Sequence, residues 1–422
     1  MDFAPSERAS RLRERIRAFI EDHVLPVEHE AIAALDAEVR PAVAYPELLV
    51  ELRRRARAEG LWNLFLPDEA RGAGLTNCEY GLVCEEMGRS PVGPMAFNCS
   101  APDTGNMEIL AEHGTPEQQE RWLEPLLAGH IRSCFAMTEP ETAGSDPTGL
   151  EARAELDDGE WVVHGHKWFT SGYNGASVAI VMVVTDPQAA PHKRASMILV
   201  PVDSPGFTGV RPVPVMGHSG GPGHWEVRLE GVRVPKSALL GPRGGGFAVA
   251  QDRLGPGRIH HCMRAIGSAE RAFELMCRRA HERHAFGGPL ADKQFVQDFI
   301  ARSRMEIEGA RLMVLHAAWK MDTEGKRAAR QEISMIKVVA AQVHQDVCDR
   351  AMQVHGALGM SDDVPLALMW REGRWLRIAD GPDEAHKMAI AMRELNRFQP
   401  ASPAAAEAGA DSDARPIGSR AP

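Results

Sequence analysis

The chain has 422 residues, 44% hydrophobic and 25% charged, an ordinary globular composition in a length that exceeds one core and calls for two or three packed units. Its net charge of -10 argues against a general nucleic-acid binder, because grip on a phosphate backbone needs a clustered positive face, and leaves room for a local basic pocket. No run of eighteen apolar residues occurs, so no helical membrane span is expected.

The predicted elements begin with an amphipathic helix capped near Ser6, on which Leu12, Ile16, Phe19 and Ile20 recur at helical spacing. Arginines at 8, 11, 13, 15 and 17 imitate a transit peptide, but acidic residues at 2, 7, 14, 21 and 22 break that pattern. Residues 1–130 read as helices divided by loops such as 67–74. Residues 131–245 change to short β-rich runs at 161–163, 179–184, 196–200 and 225–229, separated by glycine- and proline-rich turns, as in a small antiparallel barrel or sandwich. Gly244 to Gly246 lack a following Lys-Ser or Lys-Thr and read as a linker, not a phosphate loop. Residues 246–398 return to helical periodicity over 258–283, 291–322 and 328–355, suited to an antiparallel bundle. The tail 399–422, rich in Ala, Pro, Gly, Ser and Asp, is expected to be disordered. The fold class is therefore α+β: helices, a β-domain, then a helical bundle. Seven cysteines form no CxxC pair, which fits reduced thiols in a cytoplasmic setting. The histidine pairs 164/166, 260/261 and 281/284 lack the grouped acid and thiol partners of a metal site, so no metal is expected.

Two blocks in the β-rich region carry chemistry. Cys134-Phe135-Ala136-Met137-Thr138-Glu139-Pro140-Glu141-Thr142-Ala143-Gly144-Ser145-Asp146 ends a strand in small and hydroxylated residues, whose N–H groups and hydroxyls can approach ligand oxygens closely. Lys167-Trp168-Phe169-Thr170-Ser171-Gly172 puts an indole and a hydroxyl two residues apart, on one face of a regular strand. Together and in this order the blocks resemble the flavin-binding core of the acyl-CoA dehydrogenases. The resemblance implies FAD, with Phe135, Met137, Thr138, Ser145 and Phe169 beside it, the Trp168 indole over its ring and the Thr170 hydroxyl near its reactive nitrogen. Ser145 would also touch the pantetheine chain of the substrate, unless it merely caps a turn.

The resemblance continues through Leu254-Gly255-Pro256-Gly257-Arg258-Ile259-His260-His261-Cys262, Arg283-His284-Ala285-Phe286-Gly287 and Ile378-Ala379-Asp380-Gly381-Pro382-Asp383-Glu384. These wordings, and one extra residue between Pro140 and Gly144, are similar to the subgroup of acyl-CoA dehydrogenase family members ten and eleven. By resemblance Arg283, Phe286, Gln294, Gln353 and Gly356 meet the dinucleotide of a neighbouring subunit, which implies a homodimer or homotetramer. Asp383 is counted with the cofactor contacts. Ala285 and Ala357 depart from the family pattern and put a hydroxyl contact and part of the adenosine turn in doubt.

Removing hydrogens from the α and β carbons of an acyl thioester needs a base and a hydride acceptor. Asp380 stands where the better-known branches carry a catalytic glutamate, one methylene shorter in reach; the alternative is an N-cap for a helix from Asp383. The other position from which some branches deliver the base is Gly257 here. Arg258 is expected to open a helix near the thioester, so Ser145, Gly257 and Arg258 form the substrate set. Burial is expected to raise the Asp380 pKa toward working pH. The implied function is FAD-dependent dehydrogenation of an acyl-CoA to the 2-enoyl-CoA, with electrons passed to an electron-transfer flavoprotein. Three alternatives stay open: flavin-assisted elimination or rearrangement of a 4-hydroxyacyl- or 4-phosphoacyl-CoA, an acyl-CoA oxidase, and an inactive FAD-binding relative that binds nucleic acid.

Overall fold

A computed structural model describes residues 5–37, 45–217 and 223–399. All but the first residue of the predicted tail 399–422 lies outside them. Eight helices precede the first strand: α1 Glu7–Phe19, α2 Glu28–Ala37, α3 Glu47–Ala58, α4 Asn77–Met87, α5 Gly93–Ala96, α6 Asp103–His113, α7 Pro116–Gln118 and α8 Glu124–Leu127. Ser6 caps α1 as expected, its Oγ accepting from the Ala9 N–H at 3.1 Å. Thr76 and Glu79 close a reciprocal capping box on α4.

Among the described residues the main sheet has eight strands, β1 Ser133–Ala136, β2 Arg153–Asp157, β3 Glu160–Ser171, β4 Val178–Val184, β5 Ala195–Pro201, β6 Phe207–Pro212, β7 His224–Pro235 and β8 Leu239–Leu240, and a separate two-stranded ribbon pairs His284–Ala285 with Gly288–Pro289. The main sheet runs in the order β6-β7-β3-β1-β4-β5-β8, with β2 pairing β3 and β4. The sheet is not purely antiparallel, because β4 runs parallel to both β1 and β2. β1 inserts between strands far along the chain, and local turn signals cannot report that. Strand β4 is apolar throughout for a clear reason. Val178, Ile180 and Met182 face the helices, whereas Ala179, Val181 and Val183 join a second core with Trp161, Val163, Val227 and Leu229.

The remaining long helices are α9 Gly246–Glu282, α10 Gln294–Glu324, α11 Arg330–His355, α12 Leu366–Leu376 and α13 Asp383–Arg397. Helix α9 starts twelve residues before the predicted 258 and continues through Pro256, so Arg258 lies inside a helix and does not open one. Gly246, Val249 and Ala250 are buried, and that packing overrides the breaker signal of Gly255, Pro256 and Gly257.

The helices on either side of the sheet share one core. Their closest crossing is bare backbone: a Cβ at Gly267 would land on the Glu85 carbonyl, and one at Gly88 on the Arg264 backbone. Ion pairs flank the crossing, including Arg311 to Glu85 at 2.8 Å, Arg89 to Glu274 at 2.6 Å and Arg271 to Glu28 at 2.7 Å. All seven cysteines are free. Among the described residues no helix is long and apolar enough to cross a membrane.

Candidate active site

The two motif blocks meet as neighbours. The Trp168 N–H donates to the Thr138 carbonyl at 3.0 Å, and Phe135 registers opposite Ser171. A buried pair anchors them. The Lys167 ammonium donates to the Met137 carbonyl at 2.8 Å and to Glu139 Oε1 at 2.7 Å. The same carboxylate accepts from the Glu151 and Ala152 N–H groups at 2.7 and 2.9 Å. One glutamate thus ties off both ends of the loop 140–150. Burial lowers the Lys167 pKa to about 8, against the pull of Glu139.

Beyond Lys167 the strand stops alternating. Phe169 takes φ 47°, and the register with β7 shifts between Lys167 and Thr170. The regular spacing that predicted a shared face for Trp168 and Thr170 therefore does not hold. Yet Trp168 Nε1 and Thr170 Oγ1 are both buried without a partner. Orphaned buried donors are rare in folded proteins, and two on one irregular strand segment mark a place for an acceptor-rich ligand. Ser145 is exposed on the loop. The turn at 147–149 is capped by Asp146, whose Oδ1 accepts from the Thr148 N–H at 3.0 Å, so Ser145 is free of that duty.

A row of rings leads from this strand to Asp380. Trp168 and Phe169 stand edge to face at 4.9 Å, Phe169 and His224 at 5.7 Å, His224 stacks on Trp375 at 5.7 Å, and Trp375 meets His261 at 6.4 Å. His261 Nε2 lies 3.2 Å from Asp380 Oδ2. Burial lowers the His224 pKa to about 4, so this ring is neutral.

Asp380 takes φ 55°, a left-handed conformation that costs an L-residue energy. Its backbone is pinned by donors from three helices. Arg258 Nε donates to the Asp380 carbonyl at 3.1 Å, His386 Nε2 lies 3.3 Å from the same oxygen, and the Lys337 ammonium reaches the Leu376 and Gly381 carbonyls. The N-cap of α13 is Pro382 and no side chain caps it, so the capping alternative for Asp380 fails.

The expected rise in the Asp380 pKa is also corrected. Burial does push it up, but His261, Arg253, Arg258 and Lys337 outweigh that and leave it below its ordinary value. His261 is itself pushed down by burial and Arg264, so its share is that of a neutral N–H donor beside three cations. On the turn of α9 just before Arg258, a Cβ at Gly255 or Gly257 would meet nothing within 4 Å.

Arg253 was not singled out by sequence reasoning. Its guanidinium lies over the Phe135 ring at 4.1 Å and donates to Asn106 Oδ1 at 3.0 Å. It faces Asp380, Glu108 and Asp103 electrostatically, while burial lowers its pKa. Glu108 is half-buried, yet its Oε2 is buried without a partner, and burial pushes its carboxyl up to about 8.

The remaining predicted residues lie elsewhere. Arg283 ends α9, Gln294 opens α10, and Gln353 and Gly356 end α11. All four are exposed, and Phe286 is 99% exposed at φ 52°. Arg258 and Arg283 are 25 residues apart on α9, or about 37 Å of helix at roughly 1.5 Å per residue. The structure therefore does not bring these residues to the Asp380 group of the same chain. Asp383 is 2% exposed; its Oδ2 accepts from Arg377 Nε at 2.9 Å, while Oδ1 has no partner.

Sequence reasoning missed Arg253, His261, Lys167 and Glu139. The last three sat inside the quoted motifs, but the acid partner of His261 lies on a distant loop that spacing cannot reveal.

Family models for the acyl-CoA dehydrogenase N-terminal, middle and C-terminal domains match residues 6–130, 134–232 and 244–395. FadE2 of Mycobacterium tuberculosis, named a probable acyl-CoA dehydrogenase, is 50% identical over 94% of this chain and 98% of its own length. Acyl-CoA dehydrogenase family member 10 of mouse is 51% identical over 92% of this chain, which spans only 37% of that longer protein. A solved structure from Mycobacterium abscessus, assigned by name to the acyl-CoA dehydrogenases, superposes with TM-score 0.90 at 47% identity, covering 94% of this chain and all of the other.

Proposed function

The chain belongs to the acyl-CoA dehydrogenase family of FAD-dependent oxidoreductases, and from that membership we propose that it removes the α-proton and β-hydride of an acyl-CoA thioester, leaving the 2-enoyl-CoA. The observation that carries this reading is the pairing of two orphaned buried donors, Trp168 Nε1 and Thr170 Oγ1, with an ionised carboxylate at the far end of the same row of rings. The donor set fits FAD, whose ring nitrogens and carbonyls are acceptors. Trp168 and Thr170 would hold the flavin ring, the 137–139 backbone would lie beside it, and Asp383 Oδ1 could take a hydroxyl of the same group. Bound FAD supplies the acceptor for the β-hydride.

Asp380 takes the α-proton. Its reach is short, and the left-handed backbone at 380 with the clamps from Arg258, Lys337 and His386 supports its presentation at a fixed place. Arg253, Arg258 and Lys337 keep it ionised, and the same cations offset the negative charge that grows on the thioester oxygen as the proton leaves. Electrons then pass to an electron-transfer flavoprotein. Arg283, Phe286, Gln294, Gln353 and Gly356 serve the cofactor of a second copy, which makes the working unit a homodimer or homotetramer. Incubation of purified protein with a panel of acyl-CoAs without oxygen tests the reading, the expected outcome being bleaching of the flavin absorbance by at least one of them.

Arg253 favours a second reading, action on a 4-hydroxyacyl- or 4-phosphoacyl-CoA. Burying a guanidinium beside a hydrocarbon tail gives no return, whereas a hydroxyl or phosphate on the acyl chain would pair with it and with Glu108. In the same assay Arg253→Met is expected to slow every substrate, and the substituted ones by a larger factor than the plain ones.

A further inference from the structure

We infer that His261 is a positioning residue for Asp380: a neutral imidazole that donates from Nε2 to Oδ2, reserves Oδ1 for the substrate proton, and is prevented by Arg264 from taking a second proton itself. The inference rests on Asp380 being the base. Its geometry is closed at both nitrogens. Arg264 Nη2 lies 3.0 Å from His261 Nδ1, and a guanidinium has only donors, so Nδ1 is the acceptor of that pair. The ring proton then sits on Nε2, 3.2 Å from Asp380 Oδ2. The edge of Trp375 fixes the ring plane from α12.

The arrangement suits a base that must stay ionised and must not rotate. A carboxylate with two free oxygens presents either one; with Oδ2 bound to His261, Oδ1 alone is left to take the proton. When the α C–H bond breaks, its electron pair stays on the substrate as the thioester enolate and its proton goes to Oδ1. Oδ2 remains an acceptor for Nε2–H throughout, so the imidazole need not reorganise. A protonated imidazole at the same place would make Asp380 a poorer base. Arg264 prevents it, on the same helix one turn away.

Other charged and titratable groups face this pair. The cations are Arg253 and Arg258 on α9 and Lys337 on α11; Cys262 on α9 and His386 on α13 are neutral, burial having pushed the thiol up to about 12 and the imidazole down to about 4, and Asp383 on α13 faces Lys337 and His386. None but His261 is placed on the carboxylate oxygens by a hydrogen bond or ion pair among the described residues.

The test reads the proton step apart from hydride transfer. The FAD-loaded protein is incubated in D2O with 3,3-dimethylbutyryl-CoA, which has α-hydrogens and no β-hydrogen, and α-deuterium uptake is followed by mass spectrometry across pH. Removing a donor to an ionised acid raises its pKa, so His261→Leu is expected to slow exchange tenfold or more at low pH and to move the acid limb to higher pH. His261→Gln, which keeps an N–H, is expected to recover most of the rate. Arg264→Met frees Nδ1 for protonation and is expected to add a new fall in rate on the acid side of the ordinary histidine range.

Asp380→Asn in the same assay separates the two readings. If it exchanges like wild type, the base assignment is wrong. If it loses exchange while His261→Leu keeps both rate and acid limb, only the present inference is overturned. Equal slowing by His261→Leu and His261→Gln with an unmoved limb also overturns it, because that is the signature of a packing role. Should His261→Leu fail to hold flavin, the absence of a new acid limb in Arg264→Met is decisive against it.

Discussion

The two ends of α9 contrast sharply. Around Arg258 and His261 every functional side chain is held by the same chain: a clamped backbone carbonyl, a bound carboxylate oxygen, a ring wedged edge-on. Around Arg283 and Phe286 the side chains stand in solvent, one of them a phenylalanine 99% exposed in a left-handed conformation. Burial at the first end stabilises a geometry that a small molecule can enter. Exposure of an aromatic and an arginine at the second leaves both available to another surface. The lesson is that one end of the helix is packed and bonded within the chain while the other presents its side chains outward, as the proposed sharing of a cofactor between copies requires.

The most severe way to break the contrast is at the packed end. Asp380→Asn is expected to lower flavin reduction by an acyl-CoA by about a hundredfold to ten-thousandfold while retaining FAD, as read by anaerobic stopped-flow absorbance. A silent substitution there would remove the base from Asp380. Next in size is Lys167→Met, which leaves the buried Glu139 carboxylate uncompensated. It should cost about 3 to 5 kcal/mol, measurable by urea unfolding, with FAD lost in parallel because the 140–150 loop is released.

Thr170→Val sharpens the comparison by opposite signs. It removes an unpartnered buried hydroxyl, so the apo protein should be as stable or more so, whereas affinity for FAD should drop by about tenfold, corresponding to roughly 1.5 kcal/mol for one hydrogen bond. Thermal denaturation of apo protein and flavin titration give the two signs separately. At the outward-facing end, Arg283→Ala with Phe286→Ala should leave the unfolding of the single chain within about 0.5 kcal/mol, since both residues are exposed. The same pair should nonetheless weaken self-association in sedimentation velocity. An unchanged assembly would mean that the far end is only surface.

The order of helix, sheet and helix was legible because composition and period change together near residues 130 and 245. The Ser6 cap was legible because its signal is local, and the two motif blocks stood out for the same reason, though their meeting as neighbours is seen only in the fold. What failed was non-local. The first twelve residues of α9 were hidden by Gly255, Pro256 and Gly257, which packing against the core overrides. The parallel pairing of β1 with β4 has no sequence signature. Asp380 was expected to be a raised acid, because its neighbours His261, Arg253, Arg258 and Lys337 come from two helices whose meeting the sequence does not record. Histidines set aside as ordinary included the one that touches Asp380.

The bare crossing of α4 and α9 fixes more than two helices. Because Gly267 rests on the Glu85 carbonyl and Gly88 on the backbone of Arg264, the distance between those main chains has no slack to be taken up by rotamers. Arg264 therefore acts as a gauge block: one face is seated on α4, and the other, through His261, sets the height of Asp380. A methyl group at either glycine has no room against the facing main chain, so one helix must shift against the other at the turn that carries the Arg264–His261 pair.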